Sequence, residues 1–595
     1  MAGIAETLHR ATQYQQDGCL DQAQTLCQSV LHADPNHPSA LYLMATIAYQ
    51  SKQYARAREM LEKAVSIQPD VPQYHNTLGL IFEALGESEL AVRNYSQAIS
   101  LNHDYPQAYN NMAIVLHKTG RHTEAAEKCR QALTLDLDFA QAYCTMGFIL
   151  QHEGKFDLAV QSYKKALSLS PDFVEAYNHL ALALSAQGLY KEAIDACTQA
   201  LRLVPNYPEA HNTMGMAFKN LNRFADAVEC YRHAVNIDPN FIEAHYNLAN
   251  CFQKLGRCDE AIESYSRAIQ LKPDFAAAHW NRSFAFLLTG RLTQGWEGYD
   301  WRRKPQCGVY TYPHKYDQPR WEGKSFAGKR LLVHYEQGLG DCIQFVRYLP
   351  KVKSFGGTVL FEVPKLLMPL FHKFPGIDKL TEASAEQKVS TEFDYYCPLL
   401  DLPRIFETTL DTIPASVPYI HPNPVRVARW RQVLAGEGFK VGIVWAGSPT
   451  HGDDANRSCS VECFSPLAEI EGVKLYSLQK GAAEEQLSKS SLNVKAQDLG
   501  RHFEDFADTA AAIANLDLVI SVDTAVLHLA GAMAKPVWAL IPFAPDWRWL
   551  LNRTDSPWYP TLTLFRQKQF GDWKTVFQNV CQHLRGLLNH QCQSG

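Results

Sequence analysis

Three segments in the second half of the chain gather residue types able to do chemistry. The first, Gln337-Gly338-Leu339-Gly340-Asp341, follows the apolar run RLLVHYE and opens a helical pattern. Glycines at such a strand-to-helix turn let a ligand approach the backbone, while the helix start offers free N–H groups and partial positive charge. The second, VGIVWAGSPTHGDDANRS, is again a strand feeding a small-residue loop, and it sets His451, Asp454 and Arg457 close together. In the third, LVISVDTAVLHLAGAMAKPV, a strand leads to Asp523-Thr524 and then to a helix bearing His528 and many small residues. Farther on, Trp547, Trp549, Trp558 and Tyr559 interleave with Arg548, Arg553 and Arg566. These rings and cations either bracket a sugar or base, or close the core of their lobe.

Metal chemistry is not expected. The 15 cysteines are scattered and include no CxxC pair, and Cys459 with Cys463 lacks the second pair of ligands that zinc needs. Asp136 and Asp138 read as a loop or cap at the end of a repeat.

The elements that must position these residues alternate short apolar strands with helical patterns: RLLVHYE, TVLFEV, FDYYCPLL, KVGIVWAG, VKLYSLQ, LDLVISVD and KPVWALIP. That alternation predicts parallel sheets covered by helices, in two small doubly wound lobes over residues 329–425 and 426–595. The last segment, DWKTVFQNVCQHLRGLLNH, is an amphipathic helix expected to cross back and brace the first lobe. A Pro-, Gly- and Tyr-rich connector over residues 305–328 separates the lobes from what precedes them.

Residues 1–304 are periodic. Small residues recur every 34 positions at Ala11, Ala45, Gly79, Ala113, Gly147, Ala181, Gly215, Ala249 and Ser283, and a second small column runs from Ala23 to Ala261. Small side chains let two antiparallel helices approach, so each unit is a helical hairpin. Cys27, Cys129 and Cys197 share a column with Leu61, Tyr95, Tyr163, Tyr231 and Tyr265, which makes them packing residues. The pattern resembles the tetratricopeptide repeat, with eight units in register and a ninth, less regular pair beginning near Ala276. Stacked hairpins form a superhelix whose concave face is lined by the first helix of each unit and is expected to bind peptide. On that helix Asn76, Asn110, Asn178 and Asn212 form one column, and Asn111, Asn247 and Asn281 the next. They either grip the main chain of a peptide or protein acceptor, or keep a structural role in the repeat.

Of the 595 residues 46% are apolar and 20% charged, which suits a globular chain of two or three domains. The net charge of −5 lacks the basic excess that phosphate-backbone binding requires, so nucleic acid is not an expected partner. No apolar run is long enough to span a bilayer, and the amino terminus has no h-region; the expected location is cytoplasmic. Superhelices of this type can dimerise, so a homodimer stays open.

The three chemistry-bearing segments together resemble family 9 heptosyltransferases, over roughly residues 330–590. DTAVLH matches the family's Asp-Thr-Gly, two residues, then His, with Ala525 replacing the glycine; Gly340-Asp341 matches its GD after the first strand. The layout is also similar to O-GlcNAc transferases and to bacterial tetratricopeptide glycosyltransferases that modify flagellin. The resemblance implies a GT-B fold and a glycosyltransferase that moves a sugar from a nucleotide-sugar donor to Ser or Thr hydroxyls of a protein acceptor. It implies Asp341 as the base of a single inverting displacement, against its alternative as a helix cap. Gly338 and Gly340 would let the donor approach. Arg457, then Lys480, would be the cations for the leaving group, unless they are surface charges. Thr524 and the N–H groups about Ala525 would take a phosphate, Asp523 would accept sugar or ribose hydroxyls, and His528 would touch the donor. No cofactor beyond the donor substrate and no metal is implied. The alternatives are a scaffold with a degenerate GT-B half, which Ala525 favours, and transfer to a lipid or polysaccharide acceptor. The sugar and its nucleotide carrier stay open.

Overall fold

The structure, a computed structural model, describes residues 2–307, 312, 314–384, 389 and 391–594. Residues 308–311 and 313 of the expected connector lie outside the described residues. Two compact units are distinguished, Met1–Pro239 and Asn240–Gly595.

The first unit is a run of helix pairs, from Ala2–Gln16 with Leu20–Ala33 to Pro208–Asn220 with Phe224–Ile237. Glycines with φ between 75° and 81° at Gly18, Gly86, Gly120, Gly154 and Gly188 end the first helix of a pair, a left-handed conformation that only glycine adopts cheaply. Within a pair, size is compensated across the contact. A Cβ on Gly79, Gly147 or Gly215 would sit 2.5, 2.7 and 2.8 Å from the rings of Tyr95, Tyr163 and Tyr231, all three fully buried. Where the first residue is Ala11, Ala45, Ala113 or Ala181, the residue sixteen positions on is the smaller Cys27, Leu61, Cys129 or Cys197, also fully buried.

The second unit begins with two more helix pairs, Ile242–Lys254 with Cys258–Leu271 and Ala276–Leu288 with Leu292–Tyr299. The last helix is short and passes into a 3-10 turn, Asp300–Arg303. Two parallel sheets follow. The first has the order β3-β2-β1-β4, with β1 Arg330–His334, β2 Thr358–Val363, β3 Lys379–Glu382 and β4 Tyr395–Pro398. The second has the order β10-β9-β8-β5-β6-β7. Its strands are β5 Phe439–Val444, β6 Val473–Ser477, β7 Ala496–Asp498, β8 Leu518–Val522, β9 Val537–Ile541 and β10 Leu562–Arg566. The fold is a helical repeat array followed by α/β lobes of the Rossmann type, as the sequence alternation predicts.

The terminal helix, Trp573–Ser594, does not cross back to the first lobe. Its apolar face, Val576, Phe577, Val580 and Leu584, is buried in one cluster with Val441, Ile443 and Ile520 of the second sheet, and Phe577 meets Phe464 at 4.7 Å. Closing its own lobe already uses that face. One joint between the lobes is made by Arg347 and Tyr419. The Arg347 guanidinium donates to the Trp558 carbonyl (2.8 Å), the Pro414 carbonyl (3.2 Å) and the Tyr419 hydroxyl (2.7 Å), and Tyr419 N–H donates to Ala532 O (3.0 Å).

Repeat helices and lobes share one core in this unit. Trp296 Nε1 donates to Thr408 O at 2.8 Å, and its ring meets Trp547 edge-on at 5.3 Å. Arg302, 1% exposed, forks onto Glu336 (Nε to Oε2, 3.1 Å) and reaches Asp401 Oδ1 at 2.7 Å.

Candidate functional site

The site is built where two helix starts meet. β1 ends at His334, and the chain turns through Gln337, at φ 61°, and Gly338 into the helix Leu339–Phe345. A non-glycine residue in that region is a strained turn that its surroundings must hold. Asp341 supplies part of the hold: the N-cap is Gly338, and Asp341, three residues into the helix, accepts the Gly338 N–H on its Oδ2 at 2.8 Å as in a capping box, not as an N-cap carboxylate. From the second lobe, β8 runs through Asp523 and Thr524 into the helix Ala525–Ala532. Gly340 sits against that helix start. A Cβ there would lie 2.9 Å from His528 Cδ2 and 3.6 Å from Ala525 Cα, so the glycine is what lets the two helices approach. Gly338, Gly340, Asp341, Asp523, Thr524, Ala525 and His528 are thus brought to one place.

Around this contact lies a polar network that spacing along the chain does not reveal. His528, 5% exposed, shares a hydrogen bond between Nδ1 and the Tyr559 hydroxyl (3.0 Å), and its Nε2 lies 3.7 Å from Asp523 Oδ1. Trp549 Nε1 donates to Asp523 Oδ2 at 2.9 Å, and its ring stacks on His528 at 5.5 Å. Burial pushes the Asp523 carboxyl up, but His528, the indole N–H and Arg548 outweigh it and hold it below the usual carboxylate range. The Thr524 hydroxyl is engaged with Ser521 Oγ at 3.0 Å and does not cap its helix, whose first N–H groups take no side-chain cap.

Arg548 is the residue that reasoning from sequence passed over as one of several interleaved cations. It is 7% exposed, and it donates through Nη2 to Asp341 Oδ1, through Nε to Gln344 Oε1 at 2.5 Å and through Nη1 to Asp546 Oδ1 at 3.0 Å. Desolvation lowers the Arg548 pKa, yet Asp546, Asp341 and Tyr299 more than reverse it and keep the guanidinium charged. Asp546 itself is raised by burial. The remaining rings and cations of the segment close the core: Trp547, Trp558 and Tyr559 are buried, Arg553 pairs with Asp555, and Arg566 Nε donates to Arg553 O.

The two cations assigned to the leaving group are placed differently. Arg457 lies over Gly447, where a Cβ would come within 2.3 Å of its Nη2, and it reaches Asp454 at 3.3 Å. Its loop is tethered to a repeat helix by the ion pair Lys254–Asp453 (2.8 Å). Lys480 spends its ammonium on the backbone carbonyls of Phe503 and Gly500, the latter at 3.4 Å, so it pins a loop of its own lobe.

The repeat asparagines divide. Asn111 Nδ2 donates to Asn76 Oδ1 at 3.2 Å, and Asn281 Nδ2 to Tyr246 Oη and Asn250 Oδ1 at 3.0 and 3.1 Å, so these amides bond across successive repeats. Asn212 and Asn247 are half-buried. Asn110 and Asn178, 4% and 6% exposed, each keep a buried Oδ1 with no hydrogen-bond partner among the described residues. Among the described residues no helix is long and apolar enough to cross a membrane, and no group of three or more His, Cys, Asp or Glu is placed to hold a metal ion.

Residues 486–549 match glycosyltransferase family 9 (heptosyltransferase), a span that holds Asp523, Thr524, Ala525, His528, Asp546, Arg548 and Trp549. Residues 242–275 match the tetratricopeptide repeat, and residues 2–214 match the cilia and flagella-associated protein 70 C-terminal domain. Protein FlbA of Caulobacter vibrioides is 31% identical over 317 residues, covering 49% of this chain and 52% of that protein; the chain spans about half the length of this curated relative. Similar solved structures include the APC/C hetero-tetramer Cut9-Hcn1 (16% identity, 47% of this chain and 55% of that one, TM-score 0.40). Another is YrrB, a tetratricopeptide protein with an unusual peptide-binding site (24% identity, 31% and 95%, TM-score 0.26). Matches to the tetratricopeptide repeat are thus followed in one chain by a match to glycosyltransferase family 9 over residues 486–549.

Proposed function

We propose that the chain transfers a sugar from a nucleotide-sugar donor to Ser or Thr hydroxyls of a protein held by its repeats, with inversion and without a metal. The observation that carries this reading is the approach of Gly340 to Ala525 and His528, which sets two helix starts and the carboxylates Asp341 and Asp523 in one site. Helix starts stabilise phosphate oxygens, and the donor's diphosphate would lie against the first N–H groups of Ala525–Ala532, with Arg457 as its cation. Asp523 would accept sugar or ribose hydroxyls, with Trp549 and His528 fixing its orientation. Asp341 would take the acceptor's proton once Arg548 turns from it to the departing phosphate. Asn110 and Asn178, with unfilled acceptors, would take main-chain N–H groups of the bound protein.

One observation favours a scaffold instead: both oxygens of Asp341 are engaged, by Gly338 N–H and by Arg548. Thermal unfolding with ADP, UDP, GDP or CMP at millimolar concentration separates the two. Ligand at about 100 times its dissociation constant adds about 2.7 kcal/mol. A shift with one nucleotide, lost in Asp523→Ala with Thr524→Ala, supports the donor site and names the carrier. No shift with any of the four favours the scaffold. With the carrier known, Asp341→Asn is expected to keep nucleotide binding and lose transfer.

A further inference from the structure

His528 turns one ring nitrogen toward the site and is gripped through the other. Among the described residues the partner of Nδ1 is the Tyr559 hydroxyl, at 3.0 Å, while Nε2 lies 3.7 Å from Asp523 Oδ1, beyond hydrogen-bond reach. A Cβ on Gly340 would stand 3.6 Å from Nε2, so that nitrogen faces the glycine turn of the first lobe. A neutral imidazole carries one proton, and the bond made at one nitrogen decides whether the other is a donor or an acceptor. The direction of the Tyr559 bond thus fixes what His528 offers to a ligand.

Two independent features set that direction. Tyr559 is fully buried, and its ring lies so close on Gly531 that a Cβ there would come within 2.7 Å of Cδ1. The Arg347 guanidinium of the first lobe lies over the same ring at 4.6 Å. A positive charge beside a phenol makes its proton easier to share, so Tyr559 is the donor of the bond. At the far nitrogen a lone pair would face the Asp523 carboxylate and be repelled, whereas an N–H is attracted. Both features put the proton on Nε2. Asp523 Oδ2 is held by the Trp549 indole N–H at 2.9 Å, and the Trp549 ring stacks on His528. A donor at Nε2 and an acceptor at Oδ1 then stand side by side, and one ligand hydroxyl suits both, accepting from the first and donating to the second.

We propose that Tyr559 is a positioning residue: by donating to Nδ1 it holds His528 in the tautomer with the proton on Nε2, so that His528 and Asp523 together read one hydroxyl of a nucleotide-sugar. The identity of the ligand rests on the donor-site reading above, and the tautomer does not.

The tautomer is read without any ligand. In the full-length protein labelled with nitrogen-15 in its histidine rings alone, protonated and bare ring nitrogens resonate far apart, and the His528 pair is identified by its loss in His528→Gln. Above the usual histidine range, at about pH 8, Nδ1 is expected bare and Nε2 protonated. A proton on Nδ1, alone or together with one on Nε2, would overturn the proposal. Tyr559→Phe keeps the ring on Gly531 and removes only the hydroxyl, so the share of the Nε2–H form is expected to fall; an unchanged share would give the tautomer to Asp523 and end the role of Tyr559. Binding is the second readout, with the nucleotide among ADP, UDP, GDP and CMP that stabilises the wild type and with its glucose conjugate. Tyr559→Phe is expected to raise Kd about three- to tenfold, the worth of one hydrogen bond, but to have less than about a twofold effect in His528→Gln, whose amide N–H replaces Nε2. Loss with the bare nucleotide assigns the hydroxyl to ribose, and loss with the conjugate alone assigns it to the sugar. Loss with neither, or equal loss in both backgrounds, leaves Tyr559 a merely structural group and overturns its part in binding. If none of the four nucleotides binds while the tautomer is as expected, the donor-site reading falls and the tautomer assignment stands.

Discussion

On its inner face Gly340 has room for a hydrogen and nothing larger, because a Cβ would meet the ring of His528 at 2.9 Å. His528 cannot yield freely, being buried between Trp549 and the Tyr559 hydroxyl. Gly340→Ala is therefore expected to cost about 1–3 kcal/mol by overpacking, read as a lower urea midpoint at unchanged m. Gly586→Ala is the control: no atom lies within 4 Å of its Cβ, and in the terminal helix it should gain about 0.5–1 kcal/mol. Arg548 is constrained by charge rather than by space. Arg548→Met keeps the stem and leaves Asp341 and Asp546 without their shared cation, so a loss of about 3 kcal/mol is expected. A change below 1 kcal/mol in chemical denaturation would show that the two carboxylates find other partners. Strand-to-helix turns made Asp341 and Asp523 candidates, and the family motif added His528 inside the second helix. Arg548 was not legible, because its partner Asp341 lies 207 positions away and only folding brings them together.

Among the elements, the helix pairs were the most legible, because a 34-residue period writes the same contact nine times. Strands followed their side chains. β1, β2, β5, β8 and β9 carry runs of buried apolar residues, whereas β3 is Lys379–Glu382 with both ends exposed, and β7 is three residues long. Those two lie at sheet edges and pack only Leu380 and Ala496 on a core, so little apolar patterning announces them. β10 hid inside a segment read for its aromatic residues. One repeat element carries a pH dependence that spacing also conceals. His117, 6% exposed, has Nδ1 3.1 Å from His122 Nδ1, and the ring of His152 lies 5.1 Å from it. Burial, then the charges of His122 and His152, hold His117 below the usual histidine range. The folded state thus prefers it neutral, while the unfolded chain takes up a proton below about pH 6.5. Its contribution to stability is full above that value and falls as pH drops through the unfolded pKa toward the folded one. Thermal unfolding from pH 8 to 5 is expected to show a declining midpoint below pH 6.5, with a shallower slope in His117→Gln. An identical slope in the variant would assign the acid sensitivity to other groups.

For the molecule as a whole, composition placed a boundary at the connector after residue 304, yet the compact unit begins at Asn240 and takes in the last two helix pairs with both lobes. The reason lies in buried charge. Arg302 is fully enclosed, and Glu336 beside it, 1% exposed, stands in the turn that leads to Gly338 and Asp341. Burial raises Glu336, and Arg302 is the cation that opposes this. Asp401 is served twice, by Arg302 at 2.7 Å and by Arg320 at 3.3 Å, so it keeps a partner if Arg302 is lost; among the described residues Glu336 has no second cation. Removing one member of a buried pair costs more than removing both, because the cost lies in the charge left behind. Arg302→Met is thus expected to lower stability by about 3–5 kcal/mol, and Arg302→Met with Glu336→Gln to recover part of that loss. The same reasoning forecasts that a fragment starting at residue 305 fails to fold, since it also uncovers Trp547 where Trp296 packed, while one starting at Asn240 gives a cooperative unfolding transition. If the double variant is no more stable than Arg302→Met alone, the ion pair is not what joins the last repeat to the lobes, and the shared aromatic core about Trp296 must carry the junction instead.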